Sequence, residues 1–279
     1  MSGMEAAAHK DSSQIVFESE QASSSLARSS STNTASSSDS IVSSDVSEEN
    51  IVDILHNGTM NQVSETQMRL DEFADDDYEQ LDLLAQELFG NKNITLPRNP
   101  KLAKTWIKNW SKVVSVFPEL RGEIQLIASS EYSPGGGTSS EAMLDTITHY
   151  GCLVNQDIIP QTEHAQVNGY NRTFTIVHEI GHVLVQLLQG SQCEAILNDA
   201  YANIPESSRA DSLNAEIARM SPYAAHSGDL KYDEAFAETL TDVVINGEKA
   251  SNLSKETMKL LVNRTPNRDN LDLARMIRG

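Results

Sequence analysis

Little cysteine, little positive charge and no long apolar run mark this sequence, and each shortage removes a class of function. Two cysteines, Cys152 and Cys193, stand among 279 residues. They cannot build a disulfide framework or a four-cysteine zinc site, and are read as reduced thiols. Lysine and arginine number 21 against 40 aspartates and glutamates, a net charge of −19. That balance argues against nucleic acid as a partner, because neutralising phosphates takes clustered basic side chains. It argues equally against an anionic membrane surface. No stretch approaches the roughly 18–20 apolar residues of a membrane span, and the opening MSGMEAAAHK has neither the basic start nor the apolar run of a cleaved secretory signal. The expectation is a soluble protein, with any export using a route that needs no cleaved signal.

What is present is unevenly spread. Residues 1–82 hold 17 acidic and 3 basic side chains, and the remainder 23 and 18, so the remainder is only mildly acidic and favours neutral or basic substrates. Sixteen of the first 44 residues are serine, in runs such as Ser23–Ser25, Ser29–Ser31 and Ser36–Ser38. Such a segment buries too little apolar surface to offset its chain entropy. Residues 45–82 are acidic with scattered apolar positions (Ile51, Val52, Ile54, Leu55) and read as a marginal helix or unfolded chain. Asp75, Asp76 and Asp77 read as a solvated charge run. The chain therefore divides into a disordered Ser-rich and acidic leader, 1–82, and a folded domain, 83–279, with ordered structure starting near Tyr78.

Within the second part, Leu81, Leu84, Ala85 and Leu88 recur at helical spacing before a capping Gly90. Leu102, Trp106, Ile107, Trp110, Val113 and Val114 make one face of a helix over 101–117 that Pro118 ends, with both tryptophans as core anchors. Ile124, Leu126 and Ala128 point to one side of a strand. Gly135–Gly136–Gly137 reads as a plain turn, since no lysine follows it as a phosphate loop requires. Cys152–Val154 and Ile158–Ile159 read as short strands, and a strand edge beside a metal helix gives a substrate backbone something to pair with. The loops within 129–172 and across 191–222 carry no signal that places them.

Residues 173–190 read TFTIVHEIGHVLVQLLQG. Ile176, Val177, Ile180, Val183, Leu184, Leu187 and Leu188 predict a buried helix, with Thr173 or Thr175 at its start and Gly190 at its end. His178 and His182, four apart, stack on one side of it and suit one Zn²⁺. Glu179 points around the helix, placed to take a proton from a water activated there. Gly181 leaves room beside the metal or for a closely packed neighbour. A His-Glu-His set on a core helix is otherwise costly to bury; the alternative is a metal-free helical interaction domain with His178 and His182 as core residues.

A catalytic zinc takes a third protein ligand and keeps one position open. Leu188 stands six residues after His182, where a metzincin carries its third histidine, and Val185 stands in place of the glycine. His164 and His226 are read as surface or supporting residues. The better candidate is the stretch YDEAFAETLTDVVING, 232–247, in which Glu234, Glu238 and Asp242 recur every four residues opposite Phe236, Leu240, Val243 and Val244. One carboxylate can bind the metal while the next accepts the N–H of a ligating histidine. Two registers fit: Glu234 backed by Glu238, or Glu238 backed by Asp242.

HEIGH followed some fifty residues later by EAFAE resembles the catalytic domain of anthrax-lethal-factor-like zinc metallopeptidases, a group within the gluzincins. The resemblance covers residues 95–279. It implies an α+β zincin-type fold, one Zn²⁺ per chain, His178, His182 and Glu234 as ligands, Glu179 as catalytic base, and Glu238 behind the ligands. Ser221–Pro222–Tyr223–Ala224 is similar to the Ser-x-Tyr-Ala of that family, which implies Tyr223 as the group that stabilises the oxyanion, with Tyr232 or His226 as alternates. The implied activity is endopeptidase cleavage of a protein or peptide substrate by a monomer; the runner-up is a catalytically silent zincin-fold binding protein. The composition of the leader is similar to that of bacterial type III secreted effectors, which implies action in a host cell cytosol.

Overall fold

Phe89 stacks on Trp110 with ring centroids 4.0 Å apart and planes 4° from parallel, and the helices around this pair carry much of the core. The structure is a computed structural model that describes residues 50–74, 77–128, 140–143, 145–149, 175–187, 191–228 and 231–262. The chain separates into two units, Met1–Val42 and Ser43–Gly279, and all described residues belong to the second.

The order is α1 (Ile51–Asn57), α2 (Met60–Asp71), α3 (Tyr78–Phe89), α4 (Pro100–Val116), β1 (Gln125–Ala128), β2 (Ser140–Met143), β3 (Thr146–His149), α5 (Thr175–Leu187), α6 (Ser191–Asn203), α7 (Leu213–Met220), α8 (Pro222–His226), α9 (Lys231–Asn246) and α10 (Asn252–Val262). The fold is α+β and mostly helical. Local chemistry explains the boundaries. Asp77 accepts the Gln80 N–H at the start of α3, so one member of the acidic run is a helix cap and not merely solvated charge. Gly90, at φ +70°, ends α3 in the left-handed region that suits glycine. Asn99 caps α4 through the Leu102 N–H, Pro100 occupies the first turn, and both tryptophans are fully buried.

The strands form one mixed sheet in the order β1-β3-β2, with β1 parallel and β2 antiparallel to β3. Leu126, Ile147 and Ala142 sit opposite one another and make the inward row, while Ile127 and Met143 lie on the exposed side. Among the described strands β2 is an outer one, and it packs beside α5. β2 and β3 gave no sequence signal because each is four residues long and carries one inward apolar side chain (Ala142, Ile147).

Two expectations are corrected. The folded core does not begin at residue 83: Ile51, Val52, Ile54 and Leu55 of α1 and Leu70 of α2 are buried in the main core. The packing of α1 on α4 and α9 supplies the apolar surface that an acidic segment lacks by itself, and His56 Nδ1 bonds the Val244 carbonyl of α9 at 3.0 Å. The stretch 191–222 is not loop but holds α6, α7 and the start of α8. Cys193, Ile196, Leu197 and Ala200 form the buried side of α6, and the small side chains among them dilute its periodicity. The Ser-rich segment, the glycine turn at 135–137, the strands expected at 152–154 and 158–159, His164, Thr173 and Gly190 lie outside the described residues.

Candidate metal centre

Helix α5 buries Ile176, Val177, Ile180, Val183, Leu184 and Leu187, which leaves His178 and His182 one turn apart on its remaining side. Helix α9 buries Phe236, Leu240, Val243 and Val244 and carries Glu234 and Glu238 one turn apart. The two helices pack directly on each other, and glycine sets how closely. A Cβ at Gly181 would lie 2.6 Å from the Ala237 Cα and 3.0 Å from its Cβ. The close neighbour that Gly181 admits is thus a helix.

This contact brings three ligand atoms together. His178 Nε2 lies 3.1 Å from His182 Nε2 and 3.2 Å from Glu234 Oε2, and the third side of the triangle, His182 Nε2 to Glu234 Oε2, is 3.5 Å. His178 Nδ1 faces away from the triangle and lies 2.8 Å from Glu238 Oε1, a neighbour that favours the proton on Nδ1 and, in the neutral ring, leaves Nε2 as a lone pair. Glu234 Oε2 is buried and, despite its two imidazole neighbours, has no well-aligned donor. With both Nε2 atoms deprotonated, two imidazole nitrogens and a carboxylate oxygen converge on one spot, an arrangement that suits a cation. Metal bonds of about 2.0–2.2 Å in a tetrahedral site put neighbouring ligand atoms about 3.3–3.6 Å apart, and the observed separations of 3.1, 3.2 and 3.5 Å lie in or just below that range. Residues His178, His182 and Glu234 can hold a metal ion. Their side chains keep 12, 18 and 12% exposure, so the site is not fully closed off from solvent.

With no ion bound, the carboxylates favour a proton on His178, the positive charge that a cation would replace. Burial works against a charged His178, but hydrogen bonds to Glu234 and Glu238 outweigh it and hold its pKa well above the usual imidazole value. Burial likewise works against an ionised Glu234, and the imidazoles of His178 and His182 beside it reverse that and hold its carboxyl well below the usual carboxylate range. The carboxylates draw positive charge to this spot.

Around the triangle stand the other residues of interest. Glu179 is buried and close enough to His178 and Tyr223 for its charge to act on both. The ring of Tyr223 lies 6.3 Å from that of His178, and its phenol bonds Glu234; burial and the carboxylates keep it protonated. The two alternates look elsewhere. Tyr232 reaches Glu194 of α6, and the exposed His226 bonds the Pro222 carbonyl of its own helix. Asp242 is not paired with a histidine. It accepts from Asn246 Nδ2 (2.7 Å), the Ser251 N–H (2.9 Å) and Ser254 Oγ (2.6 Å), and so joins α9 to α10. The geometry matches the register Glu234 with Glu238. Asp233, passed over in the sequence, is half-buried, its carboxyl pushed up by burial and drawn back by His182 nearby. Its position next to Glu234, ahead of an apolar stretch, was the signal available.

Comparisons with protein-family models, with curated proteins and with solved structures return no match.

Proposed function

We propose that this chain is a zinc-dependent endopeptidase of zincin type, with His178, His182 and Glu234 holding the metal and Glu179 as the catalytic base. The observation that carries the reading is the convergence of three potential ligand atoms, two imidazole nitrogens and one carboxylate oxygen, with separations of 3.1, 3.2 and 3.5 Å. Two histidines and a carboxylate form the ligand set of a hydrolytic zinc site, as opposed to a closed structural one. When bound, zinc polarises a carbonyl and lowers the pKa of a water beside it.

The chain's own residues account for the rest. Glu179, buried beside His178, takes the proton of the attacking water and delivers it to the leaving amine. Tyr223, kept protonated by burial and by the carboxylates around it, donates to the oxyanion that forms on the scissile carbonyl. Glu238 fixes the tautomer and ring orientation of His178. The outer strand β2, beside α5, offers its backbone to an extended substrate. The same residues, His178, Glu179, His182, Tyr223, Glu234 and Glu238, underlie the resemblance to anthrax-lethal-factor-like peptidases, so the residue pattern and the geometry support one reading.

The test is to incubate the zinc-loaded protein with a peptide library of diverse sequence and to read new termini by mass spectrometry. The wild type should generate a defined set of cleavages and Glu179→Gln none, while both hold zinc. Equal cleavage by both would refute the mechanism.

A further inference from the structure

Tyr223 is carried by α8, which is only five residues long, far shorter than a helix that persists by its own hydrogen bonds. Its position must come from what ties the segment down. Ser221 immediately precedes α8 and is fully buried. Its Oγ accepts the Ala224 N–H at 3.2 Å, satisfying an N–H that the first turn leaves without an intrahelical partner. Its own N–H bonds the Ile217 carbonyl at the end of α7 (2.7 Å), and its carbonyl accepts the Ala225 N–H (3.1 Å). At the far end Ser227 Oγ donates to the Tyr223 carbonyl at 3.0 Å. Ala224 is completely buried. The approach to α8 is held as well: Met220 is buried, and its sulfur lies 3.1 Å from Ser254 Oγ, the hydroxyl that donates to Asp242.

We infer that Ser221 is a positioning residue for Tyr223, its buried hydroxyl capping α8 and so setting where the phenol stands relative to Glu234. The catalytic consequence rests on the peptidase reading above; the structural part does not. Ser221 never touches the reacting atoms. It acts through the backbone two residues away, and the loss of its hydroxyl leaves α7 and the core around Ala224 in place while freeing the first turn of α8. Removing a cap of this kind shifts a local helix equilibrium about fivefold. The turnover number should therefore fall about two- to fivefold, well below the loss of about a hundredfold or more that removing an oxyanion donor brings.

The experiment uses the full chain labelled with ¹³C at tyrosine Cζ. The Tyr223 resonance is the one that vanishes in Tyr223→Phe. Ser221→Ala should move that resonance and leave the other tyrosines unmoved, and Ser221→Thr, which keeps the acceptor, should restore it. In peptide cleavage, Ser221→Ala should lower kcat with little change in KM, and should cost nothing further in the Tyr223→Phe background, because two residues that act through one group are not additive. A Tyr223 resonance unmoved by Ser221→Ala, or an equal loss of kcat in both backgrounds, would overturn the inference. If Ser221→Ala does not fold, Ser221→Cys, of nearly the same volume but a poor acceptor, takes its place with the same two outcomes. A wild type without peptidase activity would remove the function proposed above, and the resonance alone would then decide the role of Ser221.

Discussion

Replacing Gly181 by alanine should damage the proposed metal centre without touching a proposed ligand. The added Cβ would sit 2.6 Å from the Ala237 Cα, a backbone atom that cannot swing aside. Ordinary contact begins at 3.4 Å, so α5 and α9 must part by about 0.8 Å at their crossing. Overpacking of this kind costs about 1–3 kcal/mol of stability. The same displacement separates the His178–His182 pair on α5 from Glu234 on α9, whose present separations are 3.2 and 3.5 Å. Zinc sites tolerate about 0.2 Å in each bond, so the third ligand falls out of range and the affinity should drop about 10–100-fold. Competition against a chromophoric chelator reads the affinity, and thermal unfolding of the metal-free protein reads the stability. Gly228→Ala is the control, because a Cβ there meets nothing within 4 Å, leaving only the strain of its positive φ. Zinc affinity within about threefold of wild type in Gly181→Ala, with unchanged stability, would show that the close contact does not set the site.

Three further expectations follow from named contacts. Glu238→Gln should weaken zinc binding about 10–100-fold by loosening His178, measured by the same chelator competition. Asp242→Asn should lower stability by about 1–3 kcal/mol in denaturant unfolding, since it weakens the ties to Ser251 and Ser254, yet leave zinc affinity unchanged. The thiol of Cys193, buried and near Asp233, has its pKa pushed up from 9.0 to about 12. Because the folded state favours its protonated form, its contribution to stability is constant below about pH 9 and falls by about 1.4 kcal/mol per pH unit from there to about 12. Unfolding curves of wild type and Cys193→Ala over that range should diverge by that amount.

The residues of the site were legible because chemistry is written locally: His178 and His182 share a helix side by their spacing alone, and so do Glu234, Glu238 and Asp242. Spacing could not choose between the two carboxylate registers, since all three acids repeat every four residues. That choice depends on where α9 crosses α5, and the crossing is set by the Gly181–Ala237 contact between positions 56 residues apart. The helices α3, α4, α5 and α9 announced themselves through large apolar residues at regular spacing. Helix α6 did not, because Cys193 and Ala200 occupy buried positions with small side chains. Helix α1 is seven residues long, and its burial comes from helices far along the chain. Tyr223 was preferred to Tyr232 only by the Ser-x-Tyr-Ala resemblance; tertiary packing turns the first toward Glu234 and the second toward Glu194.

Zinc content, measured on protein purified without added metal and again after equilibration with Zn²⁺ and gel filtration, tests the central claim most directly when wild type and Glu234→Ala are compared. The account predicts about one zinc per chain in the wild type and loss of it in the variant, because Glu234 closes the triangle with His178 and His182. No zinc in a folded wild type under either condition, or full retention in Glu234→Ala, would contradict it.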